Sequence, residues 1–89
     1  MGKWKHRLNL APTFHDEDKT LEEKTRLIVS HIKGRGWYTR MDGHYRDELD
    51  LVLEELTDAA EVNDGVWWDA VWAAFYDIAD AEGIWVTTR

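Results

Sequence analysis

Apolar and polar positions along this 89-residue chain follow two periods, and the change from one to the other predicts the order of its elements. From Trp4 to Leu10 they alternate, with Trp4, His6, Leu8 and Leu10 on one side and Lys5, Arg7 and Asn9 on the other. A period of two is that of a half-buried strand, predicted here over about 4–10. Ala11-Pro12 ends it, because proline has no N–H for a ladder. Thr13 to Lys19 is a polar connection with Phe14 as its one apolar anchor. From Thr20 the period becomes helical. Thr20-Leu21-Glu22-Glu23 has the form of a capping box, in which hydroxyl and carboxylate each serve an exposed N–H. Leu21, Thr25, Ile28, Val29 and Ile32 then share one face of a helix over about 21–33. Gly34 is placed for a left-handed C-terminal cap.

Arg35 to Gly43 reads as a connection, since Trp37-Tyr38-Thr39 has strand character but is too short to decide. A second helix is predicted over about 44–61. Tyr45, Leu49, Val52, Leu53, Leu56 and Ala60 form its buried stripe, and Asp47, Asp50, Glu54, Asp58 and Glu61 an opposing acidic one. Asn63-Asp64-Gly65 is a turn, and Asp64 is placed to cap a third helix over about 66–81. Trp68, Val71, Trp72, Phe75, Ile78 and Ala79 make that helix's main apolar face, widened by Trp67 and Ala74, so it is predicted to be the most enclosed of the three. Asp69, Asp77 and Asp80 mark its exposed strip. Gly83 stops it, and Ile84 to Thr88 is a closing strand.

Two strands at opposite ends of the chain imply that the ends meet. The expectation is a single α+β domain spanning 1–89, with three helices packed on a two-stranded sheet formed by the N- and C-terminal strands. Leu8, Leu10, Ile84 and Val86 are expected on the aromatic face of the third helix, with Trp68, Trp72, Phe75 and Trp85 as core and Trp67 exposed.

Composition narrows the function classes. There is no cysteine, so thiol catalysis, disulfides and thiolate metal sites are excluded. Six tryptophans supply the bulk a short chain otherwise lacks. No run of about 18 apolar residues occurs, which predicts no membrane span and a soluble cytoplasmic protein. Residues 1–46 hold ten Lys/Arg against six Asp/Glu, whereas residues 47–89 hold one against twelve. Between Asp47 and Glu82 there is no Lys or Arg at all, so the acidic stripe lacks the usual helical ion-pair partners.

Candidate chemistry is sparse. No phosphate-binding glycine loop occurs, and Ser30, the only serine, points about 100° away from His31 around their helix. His44 and Glu48 stand one turn apart and His15-Asp16-Glu17-Asp18 is a polar cluster, but neither has a third ligand for a metal. No cofactor and no enzymatic activity are expected. Two surfaces remain. Asp47, Asp50, Glu54, Asp58 and Glu61 rise by about 4.5–6 Å from one to the next along their helix, a spacing able to imitate a phosphate backbone and engage a basic protein surface. Arg35, Trp37, Tyr38 and Arg40 interleave base and aromatic, a combination that can stack on single-stranded nucleic acid, though the acidity of the whole chain opposes phosphate.

Trp4-Lys5-His6-x-Leu8-Asn9-Leu10 at the start, with Phe75-Tyr76-Asp77-Ile78-Ala79-Asp80 and Ile84-Trp85-Val86 at the end, resemble a group of short phage-encoded acidic proteins of unknown function. These motifs cover about a quarter of the chain and are structural in character. The resemblance implies a phage or prophage setting in a bacterial host cell and carries no activity or site residues. The sequence-based expectation is therefore a non-enzymatic phage-type accessory protein that binds a host protein through Asp47, Asp50, Glu54, Asp58 and Glu61, as an inhibitor or nucleic-acid mimic. The alternatives are a single-stranded nucleic-acid binder through Gly34–Arg40, and an antitoxin-like module self-associating through strand edges. Monomer and homodimer are both compatible with the sequence.

Overall fold

The computed structural model describes residues 4–88. Strand β1 (His6–Asn9) is followed by α1 (Ala11–Phe14), α2 (Leu21–Lys33), α3 (Gly36–Thr39), α4 (Gly43–Glu61), α5 (Gly65–Ala81) and strand β2 (Ile84–Thr87). The fold is α+β, with five helices rather than three. The two additional helices, α1 and α3, are four residues long and lie in stretches expected to be connections. Pro12 explains α1: it ends the strand and then occupies the first helical turn, where a missing N–H costs nothing. The Asn9 side chain accepts from Ala11 N–H at 3.1 Å and braces that start.

β1 and β2 pair in parallel, with His6 opposite Ile84 and Asn9 opposite Thr87. Three long helices lie between two strands of one direction, as a parallel connection requires. Each strand is only four residues long, shorter than the alternation of the sequence implied. The sheet depends on the helices beneath it, since two strands alone are marginal. Leu8, Leu10 and Ile84 are buried in the same core cluster as Phe75, and the half-buried Val86 packs against it. Phe75 lies at the centre, 1% exposed, stacked on Trp72 at 4.9 Å between ring centroids. Trp68 stacks on the other side of Trp72, and Phe14 reaches both indoles from α1.

Local signals explain where helices begin and end. Thr20 Oγ1 accepts from Glu23 N–H at 3.1 Å, but the Glu23 carboxylate takes the threonine's own hydroxyl proton instead of returning to the backbone, so the capping box is half made. Asp64 caps α5 by accepting from Trp67 N–H at 3.0 Å. Gly83 stops α5 with φ 73°, a conformation that favours glycine. Gly34, expected in that same region, is right-handed at φ −81°, because the chain turns directly into α3.

Several burial expectations are overturned. Tyr45 is exposed, not part of the α4 core stripe. Trp85 is 46% exposed because it sits on the outer face of the sheet, against Trp4 and beneath Arg7. α5 is open on the side away from the core, where Val66, Ala70, Ala73 and Ala74 are exposed. Alanines raise the mean hydropathy of a helix while offering little area to bury, which is how its apolar character overstated its enclosure.

Candidate functional site

The acidic stripe of α4 forms one wall of a groove between α4 and α2. Val29, Leu53, Thr57 and Ala60 line its floor, with Asp50, Glu54, Asp58 and Glu61 on the α4 side and Arg26 and Lys33 on the α2 side. The groove consists of two adjoining depressions of about 370 and 210 Å³ that share Val29 and Thr57. Such a shape follows from the sequence: at Thr57 and Ala60 the α4 stripe carries small side chains facing α2, so the helices meet without filling the seam.

Asp47, Glu54, Asp58 and Glu61 are exposed. Among the described residues, no Lys or Arg comes within ion-pair distance of any of these four or of Asp50. Arg26, on the opposite rim, is held by Glu22 of its own helix at 3.2 Å. Asp50 differs from the rest. It is half-buried and accepts a hydrogen bond from the Tyr38 hydroxyl, so it is partly a structural tie between α3 and α4.

Burial, and next the Asp50 carboxylate beside it, push the Tyr38 phenol up from 10.0 to about 12. The folded state therefore favours the neutral phenol. Its contribution to stability is complete below pH 10 and is lost as pH rises through about 12. Tyrosinate absorbance should show one late-titrating tyrosine, absent in Tyr38→Phe; a Tyr38 that ionises with the other tyrosines would contradict the contact.

One residue of this surface escaped the sequence reading. Leu51 is 66% exposed on the outer ridge of α4, within three or four residues of Asp47, Glu48, Glu54 and Glu55. Its phase on the helix, between the acidic positions and off the Leu49–Leu53–Leu56 stripe, was the available signal. The acidic residues of α5 do not extend the same surface. α5 meets α4 on the side opposite the groove, where Trp67 Nε1 donates to Glu55 at 3.2 Å, so Asp69, Asp77 and Asp80 belong to a separate face.

Compared with protein-family models, with curated proteins and with solved structures, the chain matches none.

The alternative set is divided by the fold. Trp37 is buried and stacked on His6, with ring centroids 5.2 Å apart, and Tyr38 is tied to Asp50. Arg35 and Arg40 are exposed, but Trp37 offers no open ring between them. The histidines are dispersed. His15 Nε2 is hydrogen-bonded with the Thr88 carbonyl, and His44 lies 3.4 Å from Glu48, an ion pair when its imidazole is protonated. Among the described residues, no three His, Asp or Glu side chains are grouped to hold a metal ion, and no helix is long and apolar enough to cross a membrane.

Proposed function

We infer that this chain is a non-enzymatic binding protein that takes a basic segment of another protein along the acidic wall and apolar floor of the α2–α4 groove. The observation that carries this reading is the run of exposed carboxylates Glu54, Asp58 and Glu61, without basic partners among the described residues, beside an open seam floored by Val29, Leu53 and Ala60. Spaced like charges on one helix cost stability unless something neutralises them. Charge also supplies long-range steering, while the apolar floor supplies area that is removed from water on contact. An amphipathic basic helix fits these demands, since residues one turn apart would enter the two depressions in sequence. The resemblance of the chain's ends to short phage-encoded proteins supports a partner in a bacterial host cell, where inhibition by occupying a basic surface is the simplest outcome.

Reversal of Glu54 and Asp58 to lysine tests the reading. Asp50 is left intact, because replacing it would also break the Tyr38 contact. The double variant should keep its thermal midpoint within a few degrees and lose affinity for a Lys/Arg-rich amphipathic peptide by about tenfold or more. Wild-type affinity should fall as salt rises. A double variant that captures the same proteins from a bacterial lysate as the wild type would remove this surface from consideration.

A further inference from the structure

We propose that the free edge of β2 pairs with the same edge of a second copy of this chain, giving a four-stranded sheet in the order β1-β2-β2-β1 about a two-fold axis.

The direction of the backbone groups follows from the register. His6 N–H donates to the Gly83 carbonyl at 3.1 Å and Leu10 N–H to the Thr87 carbonyl at 2.8 Å. In a parallel pair, alternate residues of a strand bond to the same neighbour. The odd-numbered residues of β2 therefore face β1, and the N–H and C=O of Val86 point the other way, to the open edge. Beside that edge lies an open depression of about 350 Å³ between Tyr76 and the segment Trp85–Thr88, closed at one end by the 3.0 Å hydrogen bond between the Tyr76 and Thr88 hydroxyls and filled by no other element among the described residues.

The two edges of the sheet are treated differently. β1 carries Arg7, and Lys5 stands directly before the strand, charges of the kind that keep an edge from pairing. Ile84 to Thr88 carries no charge and no proline. In a chain of net charge −7, this is a segment on which two copies can meet without setting like charges opposite each other along the strand. An antiparallel contact about a two-fold is self-complementary, since each Val86 pair offers donor to acceptor in both directions. The exposed Trp85, with Trp4 and Arg7 over it, would flank the new seam on the sheet's outer face. Tryptophan and arginine are the residues that most often anchor such contacts. A second copy also brings the sheet to four strands, within the common range, where two are marginal.

Sedimentation equilibrium of the wild type over a concentration series should show a monomer–dimer equilibrium. Association should strengthen with added salt, because screening relieves repulsion between two acidic chains. That sign is opposite to the one expected for a basic partner in the α2–α4 groove, so the two readings fail separately. Thr87→Lys sets like charges near the two-fold and should weaken association by about tenfold, with an unchanged circular dichroism spectrum. Should that variant not fold, amide exchange of the wild type decides: Val86 N–H should become protected as concentration rises, with Leu8 N–H unchanged. A strict monomer up to millimolar concentration, or Val86 exchange independent of concentration, overturns the proposal, including the case in which only a strand from a different protein adds to this edge.

Discussion

Phe75→Ala should cost the protein a large share of its stability at room temperature. Phe75 is 1% exposed at the centre of the aromatic core, stacked on Trp72 and set between helix α5 and the sheet. Truncating a buried phenylalanine costs about 3–5 kcal/mol through lost transfer energy and the cavity left behind. Domains of this kind hold about 5–15 kcal/mol in total, so a loss of this size is a large fraction of what an 89-residue chain has to spare. Urea denaturation followed by tryptophan fluorescence should show the midpoint falling towards zero denaturant. Phe75→Leu, which keeps most of the volume, should lose considerably less. A Phe75→Ala variant as stable as the wild type would mean that the core is not centred where the structure places it.

The second large effect concerns a polar chain inside this apolar core. Trp68 Nε1–H donates to Thr25 Oγ1 at 2.8 Å, and Thr25 Oγ1–H donates onward to the Leu21 carbonyl at 2.7 Å. Thr25 is 1% exposed, so no water replaces it. Thr25→Val keeps the shape and removes the acceptor, leaving a buried indole N–H unpaired at a cost of about 1–3 kcal/mol. Thr25→Ser keeps the oxygen and should recover most of that loss. The comparison isolates the hydrogen bond from packing, and equal destabilisation by Val and Ser would show that packing alone matters. The core has little slack for such a loss, since the indole N–H groups of Trp37 and Trp72 are already buried without an acceptor among the described residues.

Much of this framework was legible where a short-range signal and its tertiary outcome agree. Thr20 and Asp64 cap helices because side-chain oxygens next to free N–H groups act locally. Leu49, Leu53 and Leu56 are buried because their spacing leaves a helix only one way to face the core. The misreadings came where the deciding partner is distant. Thr25 read as one more residue on a helix face, and its bond to Trp68, 43 positions away, has no local trace. Trp85 read as core because tryptophan is large and apolar, yet strand alternation puts it opposite Ile84 and Val86, on the outer face. Trp37-Tyr38-Thr39 had strand propensity, and α3 forms instead because Trp37 is drawn into the core and Tyr38 to Asp50. For the candidate site, the acidic stripe was visible as a pattern. The α2–α4 groove was not, because it depends on which side of α4 faces α2. That geometry assigns Asp50 a structural role, separates the aspartates of α5 from the rest, and leaves Leu51 exposed among carboxylates.

The most direct test of the acidic groove as a binding site is to map amide chemical shifts while titrating the isotope-labelled protein with a Lys/Arg-rich amphipathic helical peptide at low salt. The groove reading predicts shifts concentrated on Val29, Leu53, Glu54, Thr57, Asp58 and Ala60, reversed by salt and lost in Glu54→Lys/Asp58→Lys. Shifts that avoid α4, or that persist unchanged in the double variant, would contradict it.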